Sequence, residues 1–113
     1  MGPTAGRPYL LVRARVDAGR LDEFRRWHHS VHVPHVLAIP GIVEAIHLRA
    51  GVDGPNSLTA YIFQNDAAIQ PALSSSEAAR ARADWQAWLP HLRDLSIQIY
   101  TRIGAQPALR HWN

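Results

Sequence analysis

Four runs of this chain alternate apolar and polar side chains with a period of two, and two intervening stretches repeat at helical spacing. Few folds accommodate strand–helix–strand–strand–helix–strand in 113 residues. The first run, residues 9–16 (YLLVRARV), points Leu10, Val12, Ala14 and Val16 one way and Leu11, Arg13 and Arg15 the other. Residues 42–49 (IVEAIHLR) separate Ile42, Glu44, Ile46 and Leu48 from Val43, Ala45, His47 and Arg49. Residues 57–64 separate Leu58, Ala60 and Ile62 from Thr59, Tyr61 and Phe63. In residues 95–103, Leu95, Ile97, Ile99 and Ile103 oppose Ser96, Gln98, Tyr100 and Arg102.

Asp17-Ala18-Gly19 turns the chain into the first helical stretch, 20–32. There Leu21, Phe24, His28 and Val31 recur three or four apart, with Trp27 bordering the stripe. Pro34 disfavours helical geometry at Val33 and has no N–H to donate, so the helix is expected to end near His32. That leaves room for a short turn opening on Pro34. Residues 50–56 (AGVDGPN) read as a hairpin loop and 65–73 as a loop or broken helix. Ser74 to Glu77 fits a capping box, with Ser74 as N-cap, and opens a helix to about Leu89. Its apolar side is Ala78, Ala81, Trp85, Trp88 and Leu89, and Pro90 stops it. The tryptophans Trp27, Trp85 and Trp88 read as core between helices and sheet. The order is that of the split βαβ, ferredoxin-like unit. It predicts an α+β fold, βαββαβ, with a four-stranded antiparallel sheet and two helices on one face. The whole chain, 1–113, is read as a single domain with its core at about 8–104. The tail 105–113 is peripheral, with Trp112 free to dock.

One set of faces is aliphatic: Leu10/Val12/Ala14, Ile42/Ile46/Leu48, Leu58/Ala60/Ile62 and Ile97/Ile99/Ile103. Under two helices it makes the core. The other set mixes Leu11, Arg13, Arg15, Val43, His47, Tyr61, Phe63, Gln98 and Tyr100. That face is either an amphipathic exposed surface or the contact with a second subunit, enclosing a cavity with apolar walls and a few polar groups.

Composition removes whole classes of chemistry. With no cysteine there is no thiolate nucleophile, disulfide or cysteine-ligated metal. All twelve basic residues are arginine, so lysine Schiff-base chemistry is excluded. The arginines are scattered without the stripe of a nucleic-acid binder. No Gly-rich phosphate loop, flavin or nicotinamide fingerprint, or serine elbow appears, so no organic cofactor is expected. No apolar run approaches the ~20 residues of a membrane span and no leader pattern is evident, which makes the cytoplasm the expected location.

What remains is histidine. Four of seven fall between residues 28 and 35, in HHSVHVPH. His28 and His32 lie four apart, on one helical face, and two imidazoles so placed can bind a divalent ion. His35, Glu44 or His47 would supply a third ligand. The position after His28 is His29, not the glutamate of the zinc protease motif, so that base is missing. His28 lies on the apolar stripe and suits packing, and His29 faces water. His32, at the helix end, is the candidate acid/base, its imidazole titrating near neutrality; capping the last carbonyls is its other reading. His47 is the second catalytic candidate. Arg13, Tyr61, Tyr100 and Gln98 are candidates for binding substrate and holding an oxyanion, or else for cross-strand and interface packing.

The stretch F-x-x-W-x-x-x-x-H-x-P followed by P-G, carried by Phe24, Trp27, His32, Pro34 and Pro40-Gly41, resembles the dimeric α+β-barrel superfamily and looks closest to its EthD-like branch. The resemblance implies a homodimer with a pocket between sheet and helices or inside the barrel. The superfamily includes polyketide cyclases, muconolactone isomerase-like enzymes and cofactor-independent monooxygenases. His28, His29 and His35 are not part of the matching pattern. The expectation is a small cofactor-independent enzyme moving protons on an apolar or aromatic carbonyl or hydroxyl compound, by isomerisation, cyclisation, dehydration or a lyase step. Two alternatives stand beside it: a non-catalytic small-molecule binder, and a metal-dependent enzyme using His28 and His32.

Overall fold

The computed structural model describes residues 6–50 and 54–108. The expected docking of Trp112 and the centre of the 50–56 loop lie outside them. The strands are β1 (Tyr9–Val16), β2 (Ile42–Leu48), β3 (Ser57–Phe63) and β4 (Leu92–Tyr100). They form one antiparallel sheet in the order β2-β3-β1-β4. The helices are α1 (Leu21–Trp27), α2 (Val33–Leu37), α3 (Ile69–Leu73) and α4 (Ser76–Ala83), and all pack on one face of the sheet. This is the expected βαββαβ order.

The first helix does not stop at His32. The Val33 N–H bonds to the His28 carbonyl, five residues back, so His28–His32 form a π-turn that joins α1 to α2. Val33 stays helical (φ −59°, ψ −44°) although it precedes Pro34. The widened turn takes in one extra residue, which relieves the clash of the proline ring with the preceding turn. Such turns concentrate at functional sites.

Residues 65–73 are the broken helix, opening on an Asn65 side chain that accepts from the Ala68 N–H and continuing as α3. The cap of α4 is Ser75, not Ser74: its hydroxyl accepts from the Ala78 N–H. After Ala83 the backbone tightens into two short 3₁₀ turns, Asp84–Ala87 and Leu89–His91. β4 therefore begins at Leu92, three residues earlier than the periodicity suggests, and Ile103 lies beyond it, fully exposed.

The largest correction concerns which residues face the helices. Leu10 pairs with Tyr61 and Ile99, and Val12 pairs with Thr59 and Ile97. Paired residues share a face, so Thr59, Tyr61 and Phe63 point into the helix-covered core, and Leu58, Ala60 and Ile62 point away. In β2 a bulge at Val43 inserts one residue: Ile42 pairs with Phe63 but Glu44 pairs with Ile62. Ile42, Ala45 and His47 consequently share the helix side, while Ile46 and Leu48 turn outward. β3 is interior to the sheet and its last five residues are all buried, so residue type alone gives no direction there.

Gly41 (φ +94°) sets the entry to β2. A Cβ at Gly41 would lie 2.9 Å from the Ala68 Cβ, and its carbonyl accepts from the Gln64 N–H at 2.7 Å.

Candidate functional site

Phe24 and Trp27 on α1 meet Trp85 and Trp88 after α4, with ring centroids 5.2–6.0 Å apart. As read from the sequence, these tryptophans are core. Their cluster clamps the π-turn and fixes the His32 ring. Trp27 stacks on that ring at 5.3 Å and 14°, and Trp85 meets it edge-on at 4.6 Å. His32 is 2% exposed.

The His32 Nδ1 lies 3.0 Å from Asp84 Oδ2, and the His35 Nδ1 lies 2.7 Å from the same oxygen. Burial opposes charge on Asp84, but hydrogen bonds from both imidazoles outweigh it and hold the carboxyl below its usual range. Burial likewise lowers the His32 pKa below 6.5, more than the Asp84 hydrogen bond raises it. His32 is therefore neutral at neutral pH. An ionised Asp84 accepts, so the proton sits on Nδ1 and the Nε2 lone pair is left without a partner among the described residues. Oriented this way, an imidazole is a base with a fixed tautomer, the arrangement used in histidine–carboxylate pairs.

His32 lines a cavity of about 120 Å³ whose other walls include Leu10, Val12, Val36, Tyr61, Trp85 and Ile97. Apart from His32, Tyr61 and Arg82, its walls are apolar. The Tyr61 side chain is fully buried and its hydroxyl has no hydrogen-bond partner among the described residues. Burial pushes the phenol pKa up, so it stays protonated and able to donate. An orphan buried hydroxyl costs about 1–3 kcal/mol and calls for an explanation. Ile97, on the edge strand β4, is 48% exposed, so the cavity opens along that edge.

The six candidates from the sequence separate into three places. His32 and Tyr61 share the cavity. His47 lies on the same side of the sheet but lines another groove, with its Nδ1 3.4 Å from the Thr59 hydroxyl. Arg13, Gln98 and Tyr100 lie on the uncovered face, where Gln98 Oε1 accepts from the Arg13 guanidinium at 3.3 Å and from the Tyr100 hydroxyl. The expected grouping of Tyr61 and His47 with those three fails because β3 and β2 present the opposite faces. His28 and His32 have ring centroids 5.7 Å apart. Among the described residues, no three histidine or carboxylate side chains gather as a metal-ligand set. Asp84 was not foreseen. It lies three residues after Ala81 and four before Trp88, so helical spacing put a carboxylate at the border of the apolar stripe.

No family model matches the chain, and no curated protein matches its sequence. Solved structures do. An EthD-family protein from Bacillus halodurans superposes with a TM-score of 0.70 at 15% identity, covering 86% of this chain and 99% of that one. A Streptomyces coelicolor monooxygenase solved with nanaomycin D gives 0.65 at 13% identity, covering 96% of each chain. HapK from Hahella chejuensis gives 0.60 at 17% identity, covering 90% of this chain and 98% of that one. At such identities the likeness establishes architecture, not chemistry. The chain has the ferredoxin-like α+β fold of these EthD-family and monooxygenase structures.

Proposed function

We propose that this chain is a small cytoplasmic, cofactor-independent enzyme that moves protons on an apolar or aromatic molecule bearing a carbonyl or hydroxyl group. One observation carries the reading: a buried, carboxylate-oriented imidazole and an unpartnered tyrosine hydroxyl line one apolar cavity. His32 Nε2 removes a proton from a carbon next to a carbonyl, or from a hydroxyl. The Tyr61 hydroxyl donates to the oxygen on which charge develops, in surroundings dry enough to strengthen that bond. His32 then returns the proton at a second position, which completes an isomerisation, or to a leaving group, which completes an elimination. A cavity of about 120 Å³ approaches the about 150 Å³ that accommodates benzene, so one ring or short acyl unit enters and the remainder extends past Ile97.

The uncovered sheet face is the proposed homodimer contact. Val43, Ile46, Leu48 and Tyr100 are exposed there, and burying them would stabilise association. Arg13, Gln98 and Tyr100 then belong to the interface and its polar network rather than to the His32 cavity.

The test needs no known substrate. Aryl ketones and cyclic diketones are incubated in heavy water, and deuterium entry next to the carbonyl is followed by NMR. Catalysed exchange by the native chain and its loss in His32→Gln are expected; equal exchange by both proteins would dismiss His32 as the base.

The Streptomyces neighbour is a monooxygenase solved with a ligand, which favours a second reading. The anion formed by His32 would add dioxygen and a proton to give a hydroperoxide, and loss of water from it would leave one oxygen atom in the product as a carbonyl. Substrate-dependent oxygen uptake separates this from simple proton transfer.

A further inference from the structure

A wider groove, of about 440 Å³, shares no lining residue with the His32 cavity. It lies between α1 and the β2–β3 end of the sheet. Three imidazoles, His28, His29 and His47, and two guanidiniums, Arg25 and Arg49, line it, and among the described residues no carboxylate does. Among the described residues neither Arg25 nor Arg49 has an acidic partner. Excess positive charge in a concave site concentrates anions there.

His28 adds an independent observation. It is only 9% exposed, it stacks on Phe24 at 5.3 Å and 22°, and its ring lies 5.9 Å from that of His47. Neither ring nitrogen hydrogen-bonds to another described residue, and neither is among the buried unpartnered atoms, which leaves them open to a ligand in the groove. Burial, followed by the neighbouring imidazoles of His32, His47 and His29, lowers its pKa to about 4. A bound anion would take up these open imidazole nitrogens and offset the one-signed field. Part of the groove's lining is apolar, which an inorganic ion would leave unused.

We propose that this groove is a binding site for a small aromatic carboxylate, the anion held by Arg25, Arg49 and the His28 and His47 imidazoles and the ring set against the apolar part of the lining. The site is separate from the His32 cavity, and the proposal does not depend on the reaction assigned there. A guanidinium–carboxylate bond contributes about 1.5–3 kcal/mol, or roughly tenfold to a hundredfold in affinity.

Calorimetric titration of the full chain with benzoate, and separately with inorganic phosphate, tests it. Benzoate is expected to saturate one site per chain and to move the His28 and His47 ring proton resonances. The double variant Arg25→Gln/Arg49→Gln should weaken benzoate at least tenfold. The charge-matched Arg80→Gln/Arg102→Gln should not, and His32→Gln should bind as the native chain does. Phosphate binding as tightly as benzoate would overturn the aromatic carboxylate assignment in favour of an inorganic-anion site. No saturable binding of either anion, or equal benzoate affinity in the Arg25/Arg49 variant, would overturn the site altogether.

Discussion

The two faces of the sheet are built from similar residues and put to different use. Under the helices, Thr59, Tyr61 and Phe63 are sealed, and each polar atom sits in a fixed setting: an imidazole on a carboxylate, a phenol with nothing to bind. On the uncovered face Arg13, Gln98 and Tyr100 hydrogen-bond one another in contact with water, while Ile46 and Leu48 lie exposed. Tyr61 and Tyr100 make the contrast sharpest. One is dry, unpartnered and costly, the other wet and satisfied. A polar group kept at an energetic cost is where chemistry is expected; a satisfied one in water is more readily spared.

That contrast can be broken experimentally. The largest effect is expected at His32. His32→Ala should lower turnover about 10²–10⁴-fold with an unchanged circular dichroism spectrum. A chain that retains native turnover would move the chemistry elsewhere. In the proposed mechanism His32 acts in its neutral form, so kcat/KM should hold through neutrality and decline as pH falls through the His32 pKa, below 6.5. Asp84→Asn removes the group that raises that pKa, so the acid limb should move to still lower pH while turnover drops.

Tyr61→Phe should separate function from stability. Losing an orphan hydroxyl should raise the unfolding free energy by about 1 kcal/mol and still slow turnover. Denaturant midpoints and rates measured on one preparation decide it, and a destabilised Tyr61→Phe would mean the hydroxyl has an unseen partner. Tyr100→Phe on the open face should change neither rate nor stability appreciably.

His28 should contribute to the pH response of the fold. Its folded pKa, about 4, lies below the 6.5 of the unfolded chain. Its neutral form is therefore favoured by folding: stability is fully present above about pH 6.5 and falls as pH drops from 6.5 towards 4. The loss is on the order of 3 kcal/mol, and urea titrations of His28→Phe should show a flatter profile over that window. The smallest structural perturbation concerns the open face. Leu48→Asp should leave the monomer folded and, if this face joins two copies, lower the sedimenting mass; an unchanged mass would remove the face from the proposed dimer.

The sequence carried much of this architecture locally. Period-two alternation located β1 residue for residue, and the order of elements led to the four-stranded antiparallel sheet with helices on one side. The spacing of Phe24, Trp27 and His32 also singled out the histidine that the aromatic cluster holds. Local rules lost accuracy where the backbone departs from ideal geometry. Pro34 reads as a stop, yet the π-turn carries the helix past it. Periodicity also counts through the bulge at Val43, which then reverses every later side chain of β2.

What only the tertiary structure decided is which groups meet. The direction of Tyr61 follows from pairing with Leu10, 51 positions earlier in the chain, because a strand buried on both faces has no polar side to mark the outside. The Asp84–His32 bond joins residues 52 apart and exists because four aromatic rings hold the π-turn against the segment that follows α4. Periodicity reports what each residue prefers against water; it does not report which distant residue will replace the water. The sequence thus determined the elements and nominated His32, and packing supplied its carboxylate, its cavity and its tyrosine.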